Sequence, residues 1–179
     1  MDLKGKLLIA TPSLIDAQFA KTVIAIVHHG DDGATGLVLN TPVDARDRPD
    51  MKAAWTNAFG KQVEYKMERL YIGGPVPCGL MLIHSDVRFS ENEIVPGTYV
   101  TQDRKSLSEI ILRGDVPYRC FAGYSGWTGG QLESELDRGS WYIHDNSYDA
   151  MFYNGEPTEF WKCQMGQWAG GLLKRALNL

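Results

Sequence analysis

The sequence predicts an α+β fold in a single domain, residues 1–179: a mixed, mainly antiparallel β-sheet flanked by a few helices. Three observations point there. Short apolar runs recur at 7–10, 22–28, 36–39, 70–72, 80–84, 98–101 and 118–122, and each is followed within two residues by Gly, Pro, Asn or Asp. Helical periodicity is confined to fewer, separate stretches, at 51–59, at 103–112, at 131–136 and near the carboxy terminus. The chain of 179 residues has no internal repeat and no second compositional zone, and it is long enough to bury one sizeable core.

Taken in order, residues 7–10 make a first strand, stopped by Thr11-Pro12, and Ser13 with Asp16 has a capping-box-like spacing that suits a single helical turn. Residues 22–28 are the most apolar run, with β-branched side chains on both faces, as in a central strand covered on both sides. The turn formers between His29 and Ala34 return the chain antiparallel into 36–39. His28 and His29 invite a metal reading, but neighbours on a strand point to opposite faces, so a polar strand end is the simpler one. Between Thr41 and Glu68 charges and prolines predict a solvated excursion carrying one amphipathic helix, 51–59, with Trp55 and Phe59 four apart. Residues 70–72 end at Gly73-Gly74-Pro75. A second turn at Pro77-Cys78-Gly79 precedes the strand 80–84, which puts Leu80, Leu82 and His84 on one face. Pro96-Gly97 turns the chain into 98–101. Ser106 with Glu109 has capping-box spacing, and Gly114 closes the helix whose apolar face is Leu107, Ile110 and Ile111. After the strand around Trp141 and Ile143, Pro157 opens a helix with the stripe Trp161, Met165, Trp168 and Leu172, which Gly166 and Gly170-Gly171 should kink or split.

The chain is organised around residues 121–136, FAGYSGWTGGQLESEL. The reading is a strand ending at Gly123, a glycine-rich loop through Tyr124, Ser125, Gly126, Trp127, Gly129 and Gly130, and a helix from Gln131. Free N–H groups beside Gly129 and Gly130 at that helix start are a candidate anion site, although no lysine follows and the Walker spacing is absent. Ser125 resembles a nucleophile elbow that fails at its fifth position, where Trp127 replaces the glycine. The bland alternative is a tight turn that packs Tyr124 and Trp127 into the core. His84, at the end of a buried strand, is either an acid–base or ligand-contact residue beside these turns or a core-edge histidine satisfied by backbone.

At these residues the chain resembles the AlgH/YqgE family of bacterial proteins. The resemblance includes Gly5-Lys6-Leu7-Leu8-Ile9-Ala10 with Pro12, Gly33-Ala34-Thr35-Gly36-Leu37-Val38-Leu39-Asn40 and Gly73-Gly74-Pro75-Val76. It continues through Leu82, Ile83 and His84, then 123–135, and ends at Ser140-Trp141. The chain departs from the family at His28-His29, where an acid–His pair is common, and in a charged insert between Arg46 and Lys66. The resemblance implies an α+β fold built on coiled sheets, a cytosolic location and a link to transcriptional regulation. It brings no catalytic residues with it.

Composition narrows the function classes. A formal net charge of −4 opposes general nucleic-acid binding, which needs a concentrated basic face. Cys78, Cys120 and Cys163 are odd in number and lack Cys-x-x-Cys spacing, so neither a zinc finger nor a disulfide framework is expected and a reduced, cytoplasmic compartment fits. The amino terminus has no long apolar run, and no membrane association, cofactor or metal is expected. The resulting expectation is a non-enzymatic binding or regulatory protein that meets an unknown protein, small-molecule or anion partner. Its surface would be formed by Gly123, Tyr124, Ser125, Gly126, Trp127, Gly129, Gly130 and Gln131 with His84 nearby, and a homo-oligomer is left open. The alternative is a small hydrolase or group-transfer enzyme with Ser125 or a cysteine as nucleophile, His84 as base and N–H groups near Gly129 as oxyanion donors.

Overall fold

The computed structural model describes residues 2–43, 52, 55, 56, 59, 60, 70–90 and 92–176. The elements are β1 (Lys6–Ala10), β2 (Val23–Gly30), β3 (Gly33–Val38), β4 (Leu70–Ile72), β5 (Val76–His84), β6 (Glu93–Val95) and β7 (Thr98–Thr101). They continue with α1 (Arg104–Arg113), β8 (Tyr118–Thr128), α2 (Gln131–Asp137), β9 (Trp141–Asp145), α3 (Tyr148–Met151) and α4 (Pro157–Ala176). Among the described residues nine strands form one curled sheet in the order β6-β7-β5-β8-β3-β2-β1-β9, with β4 beside β8. The β4–β8 pairing is parallel and the others are antiparallel.

The sheet is buried on both faces, and alternation along its strands shows it. Val23, Ala25 and Val27 of β2 join a central core with Leu7, Leu37, Phe121 and Phe160, whereas Ile24 and Ile26 pack on the opposite side with Leu8, Trp127, Leu132 and Trp141. That matches the doubly covered strand read from 22–28. On β5 and β8, Leu82 and Cys120 face a third cluster built with Leu107, Ile110 and Ile111 of α1. Asp31 and Asp32 form the two-residue turn of the β2–β3 hairpin, where Gly30 pairs with Gly33.

Several boundaries differ from the sequence reading for physical reasons. The residues Pro77-Cys78-Gly79 lie within β5, where the register with β8 slips between Val76 and Leu80, so they form a bulge and not a turn between strands. The cap of α1 is Asp103, whose carboxylate accepts from the Ser106 N–H at 2.8 Å, while Gly114 closes the helix in the left-handed conformation as expected. Helix α4 runs unbroken through its glycines. Its inward residues are Phe160 and Gln164, one position off the expected stripe, and Trp161, Met165 and Trp168 are half-buried. Phe160 alone is worth about 1.5–3 kcal/mol of burial. Trp161 donates its indole N–H to Ala10 O at 2.8 Å, and Trp168 stacks on Tyr142 at 3.6 Å. The charged insert and the 51–59 helix fall largely outside the described residues. Of them, Trp55 and Phe59 are buried edge to face, with ring centroids 4.8 Å apart.

Candidate functional site

Strand β8 is the spine of the sheet, and it corrects the reading of the central stretch. The strand does not end at Gly123 but bends there and continues to Thr128, leaving only Gly129 and Gly130 as the turn before α2. Before the bend β8 pairs with β4 and β5; just past it Tyr124 still pairs with Val76 of β5, and Ser125 to Thr128 pair with β3. Gly123 has φ +72°, and a Cβ there would lie 2.7 Å from Gly74 O and 2.9 Å from Val76 O. The small residues therefore accommodate the protein's own backbone.

This geometry decides which side chains reach the surface. Ser125 is fully buried and donates its hydroxyl to Gly73 O at 3.2 Å. Trp127 is buried and meets Trp141 edge-on at 6.4 Å. Both indoles donate to the same Glu135 oxygen, at 3.0 and 2.8 Å, and the other oxygen of Glu135 accepts from the Gln131 amide at 3.1 Å. Of the two readings of Trp127, a surface ring or a ring packed into the core, the structure takes the second, because a carboxylate on α2 anchors the ring inward. Tyr124 is half-buried, while Gly126, Gly129, Gly130 and Gln131 are exposed. At Gly130 a surface cavity of about 430 Å³ is lined by Asp2, His29, Gly30, Asp31 and Glu133, and its three carboxylates oppose the anion reading of the α2 start. His28 and His29 diverge as alternation requires. His28 meets Asp32 at 3.2 Å, and His29 bridges the Leu3 N–H and Glu133 at 3.3 and 2.9 Å.

The hydrolase constellation does not assemble. His84 pairs with Tyr118, whereas Ser125 lies seven residues further along β8, beyond the bend at Gly123, where it pairs with Gly36 of β3. Cys78 is separated from His84 along β5, since it comes six residues earlier in the same strand. Cys120 is on the same face as His84 but fully buried, and burial pushes its thiol up, so no thiolate is available.

His84 itself is enclosed. Its Nδ1 accepts from the Asp86 N–H at 3.2 Å, its Nε2 has no hydrogen-bond partner among the described residues, and Tyr99 and Phe89 pack beside it at 5.8 and 6.5 Å. Burial lowers its pKa below the ordinary value, opposed by the Asp86 charge. The unfolded chain therefore binds a proton at His84 before the folded one does, so this residue adds stability that is present at neutral pH and lost as pH falls below about 6.5. Chemical denaturation between pH 7.5 and about 5.5 should show a loss of stability that a His84→Gln variant reduces. Equal slopes for the two proteins would contradict the neutral, buried assignment.

The residue the sequence reading passed over is Arg119. It lies between Tyr118 and Cys120 on β8, only 4% exposed, with its guanidinium 3.8 Å above the Tyr71 ring and 5.5 Å from that of Phe121. One terminal nitrogen donates to Met151 O at 3.0 Å and the other to Leu39 O, which ties α3 and the end of β3 to the sheet. Burial lowers its pKa to about 10, against the pull of Tyr71, so it remains charged at neutral pH. Above it opens a cleft of about 570 Å³ whose wall includes Tyr71, Val116, Tyr118, Phe152 and Asn154. An arginine amid apolar strand residues was the one available signal.

Comparison with known proteins adds lineage to this geometry. A family model described as AlgH-like matches residues 7–172. A UPF0301 protein of Chlorobium phaeobacteroides is 36% identical over 154 residues, 83% of this chain and 78% of that one. A UPF0301 protein of Cereibacter sphaeroides is 32% identical over 177 residues, 96% of this chain and 91% of its own. The solution structure of the AlgH protein from Pseudomonas aeruginosa superposes with a TM-score of 0.68 at 26% identity, covering 99% of this chain and 94% of that one. A Corynebacterium diphtheriae protein shares the fold, with a TM-score of 0.71 at 23% identity over 93% and 87% of the two chains.

Proposed function

The chain belongs to the AlgH-like family, and from that premise we propose that it is a non-enzymatic binding protein that takes its ligand or partner in the cleft over Arg119. The carrying observation is a cleft of about 570 Å³, within the size range of small-molecule sites, with aromatic walls and a buried arginine at its floor. Support comes also from the separation of Ser125 and Cys78 from His84 and from the burial of Cys120, which leave the expected nucleophile–base pairings unformed among these described residues. No helix among the described residues is long and apolar enough to cross a membrane. A reducing compartment such as the cytosol suits Cys78, Cys120 and Cys163, all of them free. With a net charge of −4, a regulatory role would act through the bound partner and not through direct contact with DNA.

The test is an NMR titration of the ¹⁵N-labelled chain with a library of small fragments. Saturable shifts clustered at Tyr71, Val116, Arg119, Phe152 and Asn154 are the expected result. Shifts confined to Gly126, Gly129, Gly130 and Gln131 would return the site to the exposed edge of the central stretch and overturn the cleft.

A further inference from the structure

Resting on the cleft as the binding site, we propose that its ligand is an anion, a carboxylate or phosphate group carried on an apolar or aromatic body, and that Arg119 is the group that selects it. The starting point is an imbalance of charge. Arg119 is buried and cationic, yet among the described residues no carboxylate pairs with it. Two carbonyl oxygens and the Tyr71 ring partly solvate the guanidinium, but carbonyls carry only partial charge, and among the described residues the buried Nε–H has no acceptor. An unneutralised buried cation at the floor of an open cavity raises the affinity of that cavity for negative charge. A guanidinium is also the side chain best matched to planar carboxylate and tetrahedral phosphate oxygens.

The acid that lines the cleft does not answer this need. Asp115 is already held by Arg88 and Arg113, each at 3.4 Å. Its charge is therefore spent on other guanidiniums, and Asn154, the exposed polar group at the rim, is uncharged. Elsewhere the wall is mixed, more polar than apolar, and Tyr71, Val116, Tyr118 and Phe152 supply the faces against which an apolar or aromatic body can pack. A second cavity of about 380 Å³ shares Tyr71 and Asn154 with the first and extends the room available for the apolar body, while its own acid, Glu156, keeps the anion on the Arg119 side. The exposed glycines of the central stretch offer no such charge, since the cavity at Gly130 is acidic.

Inorganic phosphate, benzoate and the uncharged benzamide distinguish the possibilities, each titrated at constant ionic strength into the ¹⁵N-labelled full chain while the Arg119 Nε–H resonance is followed. Saturable movement of that resonance with phosphate, benzoate or both supports the proposal and tells which head group the site takes. Because Arg119 also holds Leu39 and Met151 in place, the variant that tests the charge is Asn154→Asp, which adds a negative charge at the rim without touching that bridge. It should weaken anion binding about fivefold or more, the loss expected from a like charge several ångströms away. Unchanged anion affinity in Asn154→Asp would place the anion elsewhere and overturn the proposal. Benzamide binding in the cleft without either anion would overturn the anion but leave the cleft as a binding site. No saturable shift at any cleft residue with all three probes would remove the anion and count against the cleft itself.

Discussion

Replacing Gly123 by alanine is expected to destabilise the protein by roughly 3 kcal/mol, far more than the same change at Gly130 a few residues on. Both glycines have positive φ, +72° and +77°, so both substitutions pay a conformational cost of about 1 kcal/mol or somewhat more. Only at Gly123 does the new methyl meet fixed atoms: Gly74 O at 2.7 Å and Val76 O at 2.9 Å. Those are backbone oxygens at the start of β5, where Val76 pairs with Tyr124, and neither can swing aside as a side-chain tip would. Relief requires the β5–β8 pairing to open beside the bend. At Gly130 the added methyl enters open space. The difference between the two urea-denaturation midpoints therefore isolates the close approach from the strain of φ, and equal losses at both sites would show that the crossing at Gly123 is not tight.

The sequence reading recovered what depends on local pattern. Five consecutive buried residues in β2 follow from an unbroken apolar run rich in β-branched residues, and α1 follows from Leu107, Ile110 and Ile111 between a polar cap and Gly114. It went astray where a residue serves two purposes that look alike in one dimension. A glycine after an apolar run marks the end of a strand as readily as a bend within it, and which of these Gly123 is depends on Gly73-Gly74 crossing from about 50 residues earlier. The same applies to Trp127, which the sequence left between a surface ring and a core ring. It is drawn inward by Glu135, whose acceptor role for two indoles depends on β9 lying alongside α2. Arg119 was hidden for a further reason: arginines are ordinary surface residues, and only the fold reveals that this one points into the inner face of a curled sheet.

Arg119→Met should lower stability by roughly 2–4 kcal/mol, and the reasoning separates the structural from the functional work of that residue. Methionine keeps the length and apolar stem of the side chain, so little volume is lost against Tyr71 and Phe121. What goes is the bridge. Leu39 O and Met151 O each lose a charged donor, and a buried carbonyl left without one costs about 1–3 kcal/mol. Against this stands the gain from no longer burying a guanidinium without a carboxylate, which keeps the net below the sum of the two losses. Arg119→Lys should fall between, because one ammonium retains the charge but cannot reach along two fixed directions as the planar fork does. Hydrogen exchange should quicken first where α3 and the end of β3 are tied to the sheet, ahead of global unfolding. A methionine variant as stable as the parent would mean that the two carbonyl bonds contribute no net stability. The desolvation cost of Arg119 would then be borne for what it binds, and the anion in the cleft would be the better reason for its presence.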